Sequence, residues 1–244
     1  MATIAEETPR ISYRQSQPFF VRMAWILAII IVIGFAQNAA LGRVDIPAVP
    51  VWVHVHALLM LGWLGLFVTQ NRLAASGNLR LHRKLGWSAA FLVCAIVGIA
   101  CFTGVMSLAL HRIPPFFSAP YFLALTLVDT LAFGGLIMAG IANRRDTETH
   151  RRLMMGGTIV ILEPAFGRLL PMPIIGGETG EWITMVIQLG FVAAIALHDR
   201  RTLGRIHPAT VSVGVVIALA HVTIAVAAHS GPVIALAARI SAAG

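Results

Sequence analysis

LGWSAAFLVCAIVGIACFTGVMS, at residues 85–107, runs without a single charged side chain. A helix rises about 1.5 Å per residue, so about 20 apolar residues cross a hydrocarbon core of about 30 Å. That core holds no water for backbone N–H and C=O groups, and an α-helix pairs them within its own segment. The stretch therefore predicts a transmembrane helix.

Comparable apolar runs recur along the chain and predict seven membrane helices. The composition agrees, because 58% of the residues are hydrophobic and 11% are charged, whereas soluble domains carry about 25% charged residues. We predict an all-α integral membrane bundle, with an N-terminal arm at 1–22, one membrane domain at 23–230 and a short external C-terminal tail at 231–244. The predicted helices, numbered 1 to 7, lie at 23–42, 51–70, 85–107, 120–142, 152–171, 182–198 and 208–229.

Basic residues mark one side of this bundle. Most of the 18 Lys and Arg residues lie in the arm and in the loops after helices 2, 4 and 6. Because Lys and Arg in short loops stay in the cytoplasm, the N-terminus is predicted inside and the C-terminus outside the membrane. We therefore expect a lipid bilayer, and not a nucleic acid, as the partner of this basic chain. The residues concerned are Arg10, Arg14, Arg22, Arg72, Arg80, Arg83, Lys84, Arg144, Arg145, Arg151, Arg152, Arg200, Arg201 and Arg205.

Ionisable side chains within membrane helices are costly, so they are candidates for function. Glu163 and Arg168 flank Pro164, which leaves the carbonyl of Val160 without its helical donor. A kink at this point predicts that the two charges approach, either as a functional pair or as an internal salt bridge that helps helix 5 to insert. The outer half of the bundle contains His54, His56, Asp129, Glu163, Arg168 and His221, and the amides of Gln37, Asn38 and Gln188 are candidates to join them.

Asp129 lies near the middle of helix 4 without a charged partner on its own helix. Desolvation favours its protonated form, and the alternative is a pairing across helices with a histidine or with Arg168. In a proton-coupled transporter, Asp129 and Glu163 are expected to relay protons with His221, and Arg168 supplies the counter-charge.

His56 on helix 2 and His221 on helix 7 approach a common level in the outer half of the bundle. His54 is two residues from His56, about 200° around the helix, so the two cannot face one ligand. Two neutral imidazoles on facing helices suit a bis-histidine haem or a metal ion. The alternative for each of them is a hydrogen-bonding contact between helices.

Two similar stretches open helices 3 and 5 on the basic side, LHRKLGW at 81–87 and THRRLMM at 149–155. The histidine in such a position suits an N-cap, and Arg83 and Arg151 are placed to reach lipid phosphate. His82 and His150, together with His207 at the start of helix 7, lie at one level. They are therefore also candidates to converge on one metal, haem or anionic headgroup, with His82 and His150 as an inner ligand pair.

The His-Arg-x-x-Gly motif at 82–86 and the His-Arg-x-x-Met motif at 150–154 resemble a widespread family of uncharacterised bacterial multi-pass membrane proteins. In that family one helix begins with the first motif, and a later helix begins with the second and ends in an arginine. The likeness covers residues 51–170, and Glu163 departs from it because the family's residue there is apolar. A more distant similarity in histidine layout is to cytochrome b561, ferric reductases and small oxidase-assembly proteins. The resemblance implies functional positions at His56, His82, Arg83, His150, Arg151 and Arg168.

These features predict a redox or cofactor-handling membrane protein that binds haem b or a transition metal. His56 and His221 form the expected outer ligand pair, and His82 and His150 the inner one. Asp129, Glu163 and Arg168 are then the candidate catalytic residues. The alternatives are a proton-coupled transporter, a membrane-embedded zinc hydrolase, and an assembly or scaffold protein without chemistry of its own. We expect membrane redox or assembly partners for this protein. The oligomeric state is left open by the sequence.

Overall fold

The computed structural model describes the backbone from residue 13 and the side chains from residue 16 to the C-terminus. Arg10 and the first half of the predicted arm lie outside the described residues, whereas residues 13–22 already belong to the first helix. Within the described range the chain is helical and forms no strand. Its helices are α1 (Tyr13–Ala40), α2 (Val51–Ala75), α3 (Leu79–Ala109), α4 (Ala119–Ala142), α5 (Thr147–Val160), α6 (Glu163–Leu169), α7 (Met172–Ile175), α8 (Gly177–Leu203), α9 (Pro208–Ala228) and α10 (Gly231–Ala242), with a 3-10 turn at Ile46–Ala48.

Six of these helices, α1, α2, α3, α4, α8 and α9, are long and apolar enough to cross a membrane. They correspond to six of the seven predicted helices and confirm a multi-pass helical membrane protein. The predicted tail at 231–244 contains α10, which packs Ala237 against Leu108 and Leu123 of α3 and α4.

The fifth predicted helix, expected to be continuous over 152–171, is broken into α5 and α6. The turn at residues 161–162 precedes Pro164, which lies in the first turn of α6, where its missing N–H breaks no hydrogen bond. The prediction that the Val160 carbonyl loses its helical donor is confirmed. The side-chain amide of Gln188 on α8 replaces that donor, with Nε2 3.0 Å from the Val160 oxygen.

Small residues place this broken segment in the centre of the bundle. A Cβ on Gly157 would lie 2.5 Å from the Ile137 side chain of α4, and a Cβ on Gly34 of α1 would lie 2.9 Å from the backbone oxygen of Ala165. Between Arg151 and Val160 every α5 side chain except that of Met154 is buried. The segment therefore brings its polar residues into the interior at both ends.

Candidate functional site

His82 and His150 lie in the first turns of α3 and α5, and the structure brings their rings together. The expectation that each serves as an N-cap is wrong, because Asn78 caps α3 and Asp146 caps α5. The Thr149 hydroxyl and N–H donate to the Asp146 carboxylate, which lowers the pKa of this exposed group. Neither imidazole therefore serves as a helix cap.

Each of the two rings donates from Nδ1 to a backbone carbonyl of the preceding helix. His82 Nδ1 lies 3.3 Å from the Gln70 oxygen of α2, and His150 Nδ1 lies 2.7 Å from the Gly140 oxygen of α4. A carbonyl oxygen only accepts, so Nδ1 carries the proton of the neutral imidazole and Nε2 carries the lone pair. Histidines that bind metals typically use this second hydrogen bond to fix the ring and its tautomer.

The spacing of the two rings matches a shared metal. Their centres lie 6.3 Å apart and their planes are nearly perpendicular, at 88°. With metal–nitrogen bonds of about 2.0–2.1 Å, two imidazoles on one metal have ring centres at most about 6.4 Å apart. Among the side chains that the structure describes, no three His, Cys, Asp or Glu groups form a metal-ligand set. The pair of His82 and His150 is therefore the candidate for a metal or haem site among these side chains.

A cavity of about 610 Å³ surrounds this pair, and we call it the basic cavity. Its apolar wall includes Phe67, Ala89 and Met154. Four guanidinium groups add positive charge, and one of them, that of Arg144, lies 5.9 Å from the ring centre of Trp87. The four are those of Arg83, Arg144, Arg145 and Arg151. The cavity thus combines two imidazoles, an apolar wall and a strong preference for anions.

The other two histidines on this side have different partners. His207 caps α9, with Nδ1 accepting from the Ala209 N–H at 3.2 Å, so the capping expectation is confirmed for this residue. His198 stacks on Phe19 at 4.1 Å between ring centres, and its Nε2 lies 3.0 Å from the Ser16 hydroxyl. Neither lines the basic cavity, so the expected convergence reduces to His82 and His150.

A second cavity, of about 750 Å³, lies between α2, α3, α4 and α6, and we call it the acidic cavity. Its rim includes Arg43, Arg112 and the 170–173 segment, which lie between the long helices at the end of the bundle opposite to the basic cavity. Four of the predicted outer residues line it, namely His56, Asp129, Glu163 and Arg168.

Glu163 and Arg168 share this cavity without forming an ion pair within 4.0 Å. Arg168 Nη1 instead donates to the Pro164 carbonyl at 2.6 Å, and its guanidinium lies 4.1 Å from the ring centre of Phe35. Glu163 lies beside the carboxyl group of Glu181 on α8. The predicted salt bridge is therefore replaced by a hydrogen bond within α6 and by a pair of neighbouring carboxyl groups.

His221 belongs to a different environment from His56. It is 3% exposed, its Nε2 lies 2.9 Å from Gln188 Oε1, and its Nδ1 lies 3.7 Å from Glu181 Oε2. Both of its ring nitrogens thus face side chains of α8. Because His221 does not line the acidic cavity, the structure does not support the expected ligand pair of His56 and His221. His54 is exposed, as expected from its position two residues from His56.

The sequence prediction missed two buried acids. Glu181 is 1% exposed and Asp199 is fully buried, but the predicted helix 6 at 182–198 excludes both by one residue. Glu181 and Gln188 are seven residues apart, so they share a face of α8. That spacing was the available signal, and it points to the neighbourhood of His221.

An aromatic layer separates the two cavities. Trp63 is 1% exposed and lies edge-on to Phe133 with ring centres 5.3 Å apart. It also stacks on Phe67 at 6.0 Å. Phe67 faces the basic cavity and Phe133 the acidic cavity, and the two cavities have no wall residue in common.

The fold and these cavities define a multi-pass helical membrane protein with one polar cavity toward each end of the bundle. Comparison with known protein families, with curated proteins and with solved structures finds no match to this chain.

Proposed function

We propose that the chain is a redox protein that binds haem b, or a transition metal in its place, between His82 and His150. The observation that carries this proposal is the tautomer of the two imidazoles. Both Nδ1–H groups are held by backbone carbonyls, so both Nε2 lone pairs are available in the same cavity. A bis-histidine haem accepts and releases one electron when bound.

The residues of the basic cavity fit a haem. Its volume of about 610 Å³ lies within the range of about 300–1,000 Å³ typical of cofactor pockets. Arg83, Arg144 and Arg145 suit the carboxylates of the macrocycle, because guanidinium groups bind carboxylates through paired hydrogen bonds, whereas Arg151 already pairs with Glu148. Phe67 and Met154 supply apolar surface that excludes water from the ring faces. With a ring spacing of 6.3 Å, His82 and His150 would be the residues that hold the metal.

The proposal includes a topology. We infer that α5 and α6 together make a seventh crossing, with the N-terminus in the cytoplasm of a bacterial cell and the C-terminus outside. The arginine-rich loops at the end of the bundle with the basic cavity support this orientation in the inner membrane. The basic cavity then faces the cytoplasm and the acidic cavity faces outward.

The sequence resemblance points to the same pair. The two histidines that begin the His-Arg motifs, His82 and His150, are the ones whose ring centres lie 6.3 Å apart. The family likeness and the distant likeness in layout to b-type cytochromes are therefore consistent with the proposed ligand pair, and we propose both relationships on this basis.

Proton-coupled transport, the main alternative, has weaker support. A relay needs polar groups along its whole path, and α8 and α9 leave an apolar stretch between Gln188 and Asp199. Between Gln188 and Asp199 the buried α8 side chains are those of Val192 and Ile195. Val213 and Ile217 occupy the same level on α9. This apolar block favours an acidic cavity that exchanges protons with one side of the membrane only.

The test is the absorption spectrum and metal content of the protein purified from cells supplied with a haem precursor. We expect a Soret band that is lost in His82→Ala and in His150→Ala and is kept in His54→Ala, a control that removes an exposed imidazole. A colourless protein that carries a stoichiometric metal, lost in the same two variants, would identify the transition-metal form. Protein without either cofactor after reconstitution, or with unchanged binding in both variants, would refute the proposal.

A further inference from the structure

Three residues that line the acidic cavity carry a buried polar atom without a hydrogen-bond partner among the described residues. These atoms are Nδ1 of His56 on α2, Oγ1 of Thr103 on α3 and Oδ2 of Asp129 on α4. α3 packs against both α2 and α4, so the His56 and Asp129 side chains enter the cavity from different walls. A buried polar atom without a partner is unfavourable, which indicates that a ligand completes the hydrogen bonds of His56 and Asp129.

The space between the His56 and Asp129 atoms has an aromatic floor. On α2, His56 lies two turns, or about 10 Å, from Trp63 on the same helix face. On α4, Asp129 lies one turn, or about 6 Å, from Phe133 on the same helix face. Trp63 and Phe133 contact each other at this level. Met60, Ile96 and Phe122 add apolar wall above the floor. The cavity therefore offers room for an apolar ring with a polar atom at each end.

The charges around the cavity favour a neutral ligand. Arg43 and Arg112 at the rim repel a cation that approaches from outside. In the interior, the carboxyl groups of Asp129 and Glu163 offer an anion no positive partner, and the Arg168 guanidinium already donates to the Pro164 carbonyl. These charges do not oppose the binding of an uncharged molecule. A molecule that also dissolves in the bilayer can pack against the apolar wall of the cavity.

We infer that the acidic cavity binds a neutral ring compound of the quinone and hydroquinone class, with one oxygen at His56 and the other at Asp129. A neutral imidazole nitrogen accepts from a hydroxyl in one tautomer and donates to a carbonyl in the other. A carboxyl group does the same as it loses or holds its proton. The site therefore accommodates either redox form, and this inference goes beyond the proposed function and does not require a cofactor in the basic cavity.

The test uses the full chain in detergent without added cofactor and measures the rise in melting temperature with a decyl-substituted benzoquinone. Ligands that bind only the folded state raise this temperature in a saturable way. We expect such a rise in the wild type and in His54→Ala, and a loss of apparent affinity of at least tenfold in His56→Ala and Asp129→Leu. Decylbenzene, which has the same chain but no oxygen, should give no saturable rise.

If His56→Ala or Asp129→Leu unfolds the protein, two conservative variants replace them in the test. His56→Gln and Asp129→Asn retain polar atoms and should show intermediate affinity in the folded state. Equal stabilisation in all variants, or equal stabilisation by decylbenzene, would overturn the inference. His82→Ala should bind the benzoquinone as the wild type does, so failure at the basic cavity and failure at the acidic cavity are separate outcomes.

Discussion

Arg152 of α5 and Asp199 of α8 form an ion pair that is completely buried. The Arg152 Nε lies 3.0 Å and 3.2 Å from the two carboxylate oxygens of Asp199. The same carboxylate accepts from the Thr210 hydroxyl at 2.5 Å and from the His207 N–H at 3.1 Å. The pair therefore ties α5, α8 and α9 together at the basic end of the bundle, next to the first turn that carries His150.

Removing the carboxylate leaves a buried guanidinium without its main partner. We expect Asp199→Ala to lower the free energy of unfolding by up to about 3–5 kcal/mol, because the buried Arg152 guanidinium keeps only its contact with Glu148 and the Thr210 hydroxyl loses its acceptor. The measurement is denaturant or thermal unfolding in detergent. Glu178→Ala is the matched control, since Glu178 faces His229 at 3.7 Å with its side chain 58% exposed. Similar losses in the two variants would contradict this role of Asp199.

The Gln188 side chain forms two buried hydrogen bonds that an apolar residue at this position could not form. Its amide donates to the Val160 carbonyl at 3.0 Å, and its oxygen lies 2.9 Å from His221 Nε2. Gln188→Leu should therefore cost about 1–3 kcal/mol in unfolding free energy, because buried polar atoms lose their partners. Thr184→Val provides the comparison, since the Thr184 hydroxyl bonds only the Gly180 carbonyl of its own helix. A larger loss in Thr184→Val than in Gln188→Leu would disprove this account of the α5–α6 break.

Gly34 allows α1 to approach α6 closely. A Cβ there would meet the Ala165 backbone oxygen at 2.9 Å, and backbone cannot rotate away as a side chain does. Gly34→Ala should destabilise the protein by about 1–3 kcal/mol through overpacking. Gly65→Ala should be neutral or stabilising by up to about 1 kcal/mol, because a Cβ at Gly65 would have no neighbouring atom within 4 Å and alanine favours the helix. Comparison of the two melting temperatures checks the prediction, which a tolerated Gly34→Ala would defeat.

Asp146 gives α5 a pH-dependent start. Hydrogen bonds from Thr149 lower the pKa of this carboxyl, so its contribution is fully present above the unfolded value of about 3.9 and is lost as the pH falls through the lower folded value. Asp146→Ala should cost about 0.5–2 kcal/mol at pH 7 through loss of the N-cap. Unfolding curves from pH 7 to pH 3 should show the difference from wild type shrinking. A difference that stays constant would mean that the charge plays no part.

Apolar length alone was sufficient to predict most of the fold, because crossing a membrane requires long uncharged helices whatever their neighbours are. It was insufficient at helix 5, which breaks at Pro164. The break depends on the hydrogen bond that the Gln188 amide of α8 donates to the Val160 carbonyl, and the sequence of helix 5 does not contain this partner. Glu181 and Asp199 were missed because the apolar window ended beside them. His82 and His150 were placed at one level by their shared motif. The direction of the His221 side chain depends on how α9 is rotated about its axis. The packing of α9 against α8 determines this rotation.

The contact between Trp63 and Phe133 turns the interior into two separate compartments. A solute that enters through either mouth meets packed rings instead of a passage, so diffusion through the bundle stops at this layer. Any influence of one compartment on the other has to pass through the atoms of the wall itself, as a change in side-chain packing.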